Sequence, residues 1–153
     1  MNILGMDYTL KYNSLDIYVS GCSASPHCIG CHNPESWNFD MGVLYNSGCF
    51  TKIKTKVKTF NSLINNIMIF GGEPLDQNLW DLLDFLTDLK TLDKKIWLFT
   101  RYNIDEIPTD IKELCSYIKT GRYIKELKTD NNIQYGIKLS TSNQKITNIG
   151  DNK

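Results

Sequence analysis

The chain has 153 residues, and its 17 lysine and arginine residues balance its 17 aspartate and glutamate residues, so the formal net charge is zero. This length predicts one domain, spanning residues 1–153, that can bury a hydrophobic core without disulfides. Hydrophobic residues make up 41% of the chain and charged residues 22%, which excludes a disordered chain. The balanced charge predicts no nucleic-acid partner, and no apolar run approaches the ~20 residues of a membrane span.

The first part of the chain predicts a strand, a long loop and a helix. Residues 15–20 are rich in β-formers and run straight into Gly21, which predicts a buried strand. Residues 21–50 hold most of the turn formers and predict a long irregular loop, which in a compact domain is usually functional. Residues 51–65 combine alternating lysines with apolar residues at helical spacing. The helical pattern is longer, so it predicts a helix with a lysine-rich solvent face.

The rest of the chain alternates strands and helices. Strands are predicted at residues 67–70, 95–100 and 115–119, with strand-like pieces in the polar tail at 135–139 and 145–149. Helices are predicted at 75–90 and 104–114. The first of these helices has a leucine face, formed by Leu79, Leu82, Leu83, Leu86 and Leu89. The alternation predicts an α/β fold with a mostly parallel sheet.

The cysteines provide the first functional lead. They are Cys22, Cys28, Cys31, Cys49 and Cys115. The N-terminus has no basic head followed by an apolar stretch, so the chain is expected to be cytoplasmic, where disulfide frameworks are rare. The first three cysteines lie close together, separated by small turn-forming residues. Cys115 is expected in the core, and Cys49 has no assigned role.

Three thiolates on one flexible loop can wrap a metal centre. A structural zinc normally takes four ligands. A fourth ligand here would come from His27, His32 or Cys49. Three cysteines without an evident fourth ligand suit a 4Fe-4S cluster with one iron left open for a substrate. A zinc site and buried, unligated cysteines are the alternatives at this point.

A second motif is the Gly-Gly-Glu-Pro turn at residues 71–74. Its two glycines let a ligand approach the backbone, and Glu73 can accept hydrogen bonds from an ammonium group. Three segments follow predicted strands: the loop that carries Cys22, Cys28 and Cys31 (the cysteine loop), this turn, and Thr100-Arg101. Because the carboxyl ends of parallel strands meet at one edge, these three segments are expected to converge. Lys119 also lies at a strand end, where a solvated lysine is favoured over one that reaches a ligand carboxylate.

The cysteine triplet followed by His-Asn-Pro-Glu-Ser-Trp, and then by Gly-Gly-Glu-Pro, resembles the radical S-adenosylmethionine (SAM) enzymes. More narrowly, nearly the whole chain is similar to the activating proteins of anaerobic (class III) ribonucleotide reductase. Residues 117–127 and 142–146 carry the features that separate these proteins from pyruvate formate-lyase activating enzyme. The resemblance implies a single radical SAM domain over residues 1–153, folded as an incomplete (βα) barrel.

By this resemblance, Cys22, Cys28 and Cys31 would hold three irons, and the fourth iron would bind SAM. The cofactor-binding residues would be Gly30, His32, Gly71, Gly72, Glu73 and Thr100. The reduced cluster would cleave SAM to methionine and a 5′-deoxyadenosyl radical, which would take a hydrogen atom from a glycine of the reductase. The implied partners are this reductase and an electron donor such as flavodoxin or ferredoxin. The alternatives are an activase of another glycyl radical enzyme, or a non-catalytic zinc or iron-sulfur module.

The chain departs from the family pattern at two places. Five residues, 23–27, separate the first two cysteines, whereas three are usual in the family. The longer loop can still close, because loop closure costs only ~0.6 kcal/mol per doubling of length. This insertion is expected to contact the reductase. Phe99 stands where related enzymes carry an aspartate before the residue matched by Thr100, so a carboxylate-bound cation is not implied there.

Overall fold

The computed structural model describes residues 1–31 and 33–150. The strands are β1 (Asn2–Thr9), β2 (Ser14–Val19), β3 (Val43–Leu44), β4 (Asn66–Gly71), β5 (Lys95–Phe99), β6 (Tyr117–Thr120), β7 (Ile133–Gln134), β8 (Ile137–Lys138) and β9 (Lys145–Asn148). The α-helices are α1 (Ser47–Thr59), α2 (Leu79–Lys90) and α3 (Thr109–Leu114). Short 3₁₀ helices include Pro34–Trp37, Pro74–Asp76 and Ile104–Glu106. Within the described ranges, no helix has both the length and the apolar character needed to cross a membrane.

The main sheet has the strand order β3-β1-β2-β4-β5-β6-β9, and β7 pairs with β8 in a separate hairpin. Strands β2, β4, β5 and β6 run parallel, with α1, α2 and α3 in the connections between them. This confirms the predicted α/β fold and its alternation of strands and helices. Strands β1, β3 and β9 are antiparallel additions at the two sides of this parallel centre.

The helices cover one face of the sheet with an aliphatic core. Ile17 of β2, Ile69 of β4 and Leu98 of β5 are fully buried there, together with Phe85 and Leu86 of α2. The opposite face carries a smaller cluster, in which residues of the chain's tail pack on the strands. This cluster consists of Met68, Trp97, Ile137, Leu139 and Ile146. The tail therefore covers part of the face that the helices leave open.

Local capping explains where the observed helices differ from the predicted ones. Helix α1 begins at Ser47, earlier than predicted, because the side chain of Asn46 accepts a hydrogen bond from the N–H of Cys49. The helix predicted at 75–90 is interrupted, since Asn78 caps a new start for α2. Leu79 then lies at the exposed end of the helix, 43% exposed, so its predicted place in the core is wrong.

Strand β1 was not predicted, and its sequence explains why. Gly5 interrupts it, the register with β2 shifts between Ile3 and Gly5, and most of its residues are half-buried. A strand of this kind lacks the clean alternation on which the prediction depends. The helix predicted at 104–114 is a 3₁₀ helix followed by α3, because Pro108 has no N–H to continue the hydrogen-bond ladder. Cys115 is buried, as predicted, but it caps the end of α3, and the strand predicted to begin there begins at Tyr117.

Candidate active site

An open cleft, with about 870 Å³ of empty space, lies at the carboxyl ends of the parallel strands. The loop after β2 contributes Cys22, Cys28, Gly30 and Cys31 to its wall. The other predicted residues on the wall are Gly71, Gly72, Glu73 and Thr100. The expected convergence of the three segments is therefore confirmed. His32, the remaining predicted cofactor contact, lies outside the described residues.

The cysteine loop is packed against the body of the protein. Its three cysteines are half-buried and form no disulfide. In the inserted segment, the ring of His27 stacks on Trp37 with centroids 3.9 Å apart, and its Nε2 lies 3.2 Å from the carbonyl oxygen of Cys22. The guanidinium of Arg122 donates to the carbonyl oxygen of Pro26. Several elements of the fold thus hold the insertion in place.

The two glycines of the turn are explained by backbone packing. The N–H of Gly72 donates to the carbonyl oxygen of Val19 at 2.8 Å, so β4 and β2 approach closely at their ends. A Cβ on Gly72 would overlap the carbonyl oxygen of Gly21, and it would lie 2.7 Å from that of Ser36. The backbone φ of Gly71 is 118°, a conformation that residues with a side chain rarely adopt. The missing side chains make room for the chain's own backbone beside the cysteine loop.

Glu73 connects the ends of β4 and β5. Its carboxylate is 2% exposed and accepts hydrogen bonds from the hydroxyl of Thr100 at 2.6 Å and the N–H of Arg101 at 2.8 Å. The N–H of Leu75 is a third donor, at 3.1 Å. Burial raises the pKa of Glu73, and these hydrogen bonds act against that rise. Since a carboxylate has about four acceptor positions, little capacity remains for a ligand.

Lys119 lies in the cleft, so the expectation of a solvated lysine is wrong. Its Nζ donates to the carbonyl oxygen of Gly121 at 2.8 Å. Burial lowers its pKa to about 8, although the negative charges of Glu73 and Cys28 act in the opposite direction. Lys119 is two residues after Tyr117, so both side chains lie on the same face of β6. This spacing could have placed Lys119 on the open face of the sheet, but only once that face was known.

Comparison with known proteins agrees with this geometry. A family model described as a 4Fe-4S single cluster domain matches residues 13–147. The anaerobic ribonucleoside-triphosphate reductase-activating protein of Haemophilus influenzae is 33% identical over 116 residues, which cover 72% of this chain and 74% of that protein. The chain belongs to this 4Fe-4S single cluster family. The Escherichia coli protein of the same name is 26% identical over 139 residues, covering 87% of this chain and 86% of that protein. The Vibrio cholerae protein is 31% identical over 116 residues, with coverage of 72% and 74%.

The donor set fits the cluster that the family name implies. Three free thiols of one loop line one cleft, and thiolates are the ligands of iron-sulfur clusters. Within residues 1–31 and 33–150, no three histidine, cysteine, aspartate or glutamate side chains are close enough to hold a single metal ion.

Two residues at or beside the cleft were missed from the sequence: Gln144 lines it, and Asp76 bonds to the cysteine loop next to it. Gln144 is buried, accepts from the N–H of Ser140 and that of Thr141, and donates to the carbonyl oxygen of Gly121, so it fixes the tail as a wall of the cleft. Asp76 has a side chain that is only 2% exposed. Burial acts to raise the pKa of Asp76, but hydrogen bonds from Tyr102, Ser23 and Arg101 lower it below its ordinary value.

Proposed function

We propose that the chain is a radical SAM activating enzyme for anaerobic (class III) ribonucleotide reductase. It cleaves SAM reductively at a 4Fe-4S cluster and generates a glycyl radical on the reductase. One observation carries the proposal: the three free cysteines of one loop and the Gly-Gly-Glu turn line a single cleft. The relatives named as activators of this reductase supply the identity of the protein substrate. We place a single radical SAM domain over residues 1–153, curved as an incomplete (βα) barrel and acting in the cytoplasm.

The cysteines and the turn have separate roles in this proposal. Cys22, Cys28 and Cys31 each hold one iron, which leaves the fourth iron open for SAM. When bound, the cluster supplies the electron for the cleavage. The backbone at residues 71–72 and at Gly30 lies against the cofactor.

Glu73 and Thr100 shape the cofactor site together. The hydroxyl of Thr100 holds the carboxylate of Glu73 at 2.6 Å, so the negative charge of Glu73 stays fixed in the cleft wall. This charge is complementary to the ammonium group of SAM. His32 is assigned to the same site from the sequence resemblance alone.

The open cleft sets the requirement for a partner. Radical chemistry needs water to be excluded, and the cleft of this chain is open to solvent. The reductase must therefore close the cleft when it presents its glycine. We expect SAM cleavage by the chain alone to be slow, and faster when the reductase is present. Electrons come from a small carrier such as flavodoxin or ferredoxin.

The experiment is anaerobic reconstitution with iron and sulfide, followed by dithionite and SAM. The product to measure is 5′-deoxyadenosine. With the reductase added, a glycyl radical doublet is expected in electron paramagnetic resonance. A full cluster that yields no 5′-deoxyadenosine would contradict the radical SAM activity. If another glycyl radical enzyme is activated and the class III reductase is not, the activity holds but the assigned partner is wrong.

A further inference from the structure

One carboxylate joins three segments of the chain beside the cleft. Asp76 ends the 3₁₀ helix Pro74–Asp76 that follows β4. Its Oδ2 accepts a hydrogen bond from the backbone N–H of Ser23 at 2.6 Å. Its Oδ1 accepts from the hydroxyl of Tyr102 at 2.6 Å, and Nη2 of Arg101 lies 2.9 and 3.1 Å from the two oxygens. The carboxylate therefore ties the cysteine loop to the segments that follow β4 and β5.

This connection acts beside the first cysteine of the loop. The N–H groups of Gly21 and Cys22 donate to carbonyl oxygens of the 3₁₀ helix Pro34–Trp37, at 2.7 and 3.1 Å. The next N–H, that of Ser23, donates to Asp76. Three successive N–H groups are thus bonded to residues outside the segment 21–31 that carries the cysteines. The backbone of Cys22 is therefore fixed on both sides. This sets the direction in which the Cys22 side chain projects from the backbone.

The last cysteine of the loop, Cys31, is held by a neutral hydrogen bond within the loop. The N–H of Cys31 donates to the carbonyl oxygen of Cys28 at 3.1 Å, within the loop itself. Between Cys22 and Cys28, the carbonyl oxygen of Pro26 accepts from the charged guanidinium of Arg122. Hydrogen bonds to an ionised carboxylate are roughly twice as strong as those between neutral groups. The bond from Ser23 to Asp76 is therefore stronger than the neutral bond from Cys31 to Cys28.

We propose that Asp76 is a positioning residue that holds Cys22 in place for the cluster, with Arg101 and Tyr102 keeping its carboxylate directed at Ser23. The inference rests on the proposed function, because it concerns the same site. An asparagine at this position keeps one acceptor oxygen, but it loses the charge that faces Arg101. Its NH₂ group would also face one of the three donors. The bond to Ser23 weakens, and the segment that carries Cys22 becomes free to move.

The first test compares Asp76→Asn with Asp84→Asn, which removes the same charge from an exposed position on α2. Both variants are reconstituted anaerobically, and loss of iron to a chelator is followed together with the electron paramagnetic resonance spectrum of the reduced cluster. Asp76→Asn should lose iron about tenfold faster than wild type, the worth of a hydrogen bond to a charged group. Its spectrum should also change, whereas Asp84→Asn should match wild type. Equal iron retention and equal spectra in the two variants would overturn the proposal.

A second measurement needs no cluster, so it separates this proposal from the proposed function. In the metal-free chain, the rate of alkylation by iodoacetamide is measured for Cys22 relative to Cys28. Asp76→Asn should raise this ratio about tenfold, because the released segment exposes the half-buried thiol. An unchanged ratio counts against the positioning role. If the wild-type chain takes up no cluster, the proposed function fails and this ratio alone decides the role of Asp76.

A third variant keeps the test decisive if Asp76→Asn does not fold, as judged by circular dichroism. Tyr102→Phe removes a single hydroxyl that donates to Asp76 and leaves the ring in place. It should change iron retention and the alkylation ratio in the same direction, by a smaller factor. If Tyr102→Phe matches wild type in both measurements while Asp76→Asn is unfolded, the proposal is refuted.

Discussion

The two faces of the central sheet differ in chemistry although the same strands build both. On the helix-covered face, strand residues such as Ile69 and Leu98 are aliphatic and fully buried. On the open face, the next residues along the same strands are aromatic or charged. Phe70 and Phe99 pack there with ring centroids 4.2 Å apart, and Lys119 lies in the cleft beside them.

Neighbouring positions on one strand therefore serve different purposes. Successive side chains of a strand point to opposite faces, so one substitution tests packing and the next tests the cleft. The tail covers only part of the open face, through Ile137, Leu139 and Ile146, and the uncovered part is the candidate site. Stability should therefore depend mainly on the helix-covered face, and ligand binding on the open face.

The largest expected effect is loss of the cluster on replacing a cysteine of the cleft. Cys28→Ala should abolish the 4Fe-4S signal or leave it incomplete, because three thiolates are the whole protein ligand set in the proposed site. Cys22→Ala and Cys31→Ala should do the same. The measurement is iron and sulfide content after anaerobic reconstitution, with the absorbance spectrum.

Cys49→Ala is the matched control, since Cys49 packs in the core of the helix-covered face. It should keep the full cluster. A loss as complete as that of Cys28→Ala would mean that Cys49 is a ligand, and the division of roles between the two faces would not hold.

The next largest effect is a loss of stability, and it is expected to differ between two adjacent residues of β5. Leu98→Ala should lower the free energy of unfolding by about 3 kcal/mol, because it leaves a cavity in a fully buried core. Phe99→Leu should cost less than about 1.5 kcal/mol, because the side chain is half-buried and faces the cleft. It should instead weaken SAM binding to the reconstituted protein. Chemical denaturation and equilibrium binding measure the two effects. Equal losses of stability would show that the faces are energetically alike.

The parallel centre of the fold and the position of the site could be predicted from the sequence. The signals were local: β-rich runs such as residues 15–20, the leucine face of α2, and motifs that directly follow strands. Three strand ends with chemistry-bearing residues were enough to place the cleft. The cysteine triplet and the Gly-Gly-Glu-Pro turn also pointed to the family that the comparisons show.

The residues that could not be predicted depend on tertiary neighbours. Asp76 resembles any other aspartate in a turn until the cysteine loop brings the N–H of Ser23 to it. Lys119 follows an ordinary strand pattern, and only the choice of face puts it in the cleft. Gly72 also makes room for the carbonyl of Gly21, a tertiary contact that the sequence pattern does not show.

That structural reason changes what Gly72 substitutions should do. If Gly72 makes room for SAM alone, a larger residue weakens SAM binding and leaves the cluster intact. In the structure, a Cβ at Gly72 would overlap the backbone of the cysteine loop. Gly72→Ala should therefore destabilise the fold by about 2 kcal/mol, the usual cost of overpacking, and lower cluster content as well.

Gly5→Ala is the control for Gly72→Ala, because a Cβ at Gly5 meets no atom within 4 Å. It should change stability by no more than about 1 kcal/mol. Thermal unfolding and iron content measure the comparison. A Gly72→Ala variant with unchanged stability and a full cluster would show that the packing against the cysteine loop does not require this glycine.

The smallest expected effect concerns the buried charge on the open face. Burial lowers the pKa of Lys119 to about 8, and in the unfolded chain the pKa returns to the ordinary value of 10.5. Between these values the unfolded chain binds the proton and the folded chain does not. The free energy of unfolding therefore rises with pH across this window. Below it, both states are protonated, and the full cost of burying the charge is present.

Lys119→Met removes this dependence on pH, because the methionine side chain has no titratable group. In the metal-free chain, the stability of wild type relative to Lys119→Met should increase by about 1 kcal/mol from about pH 7 to about pH 10, after allowance for solvent screening. Denaturant unfolding at the two pH values gives this difference. Lys125→Met, at an exposed position, serves as the control for losing one positive charge. If the difference for Lys119→Met is as flat with pH as that of the control, the lysine is charged and solvated, and the open face carries no buried charge at this position.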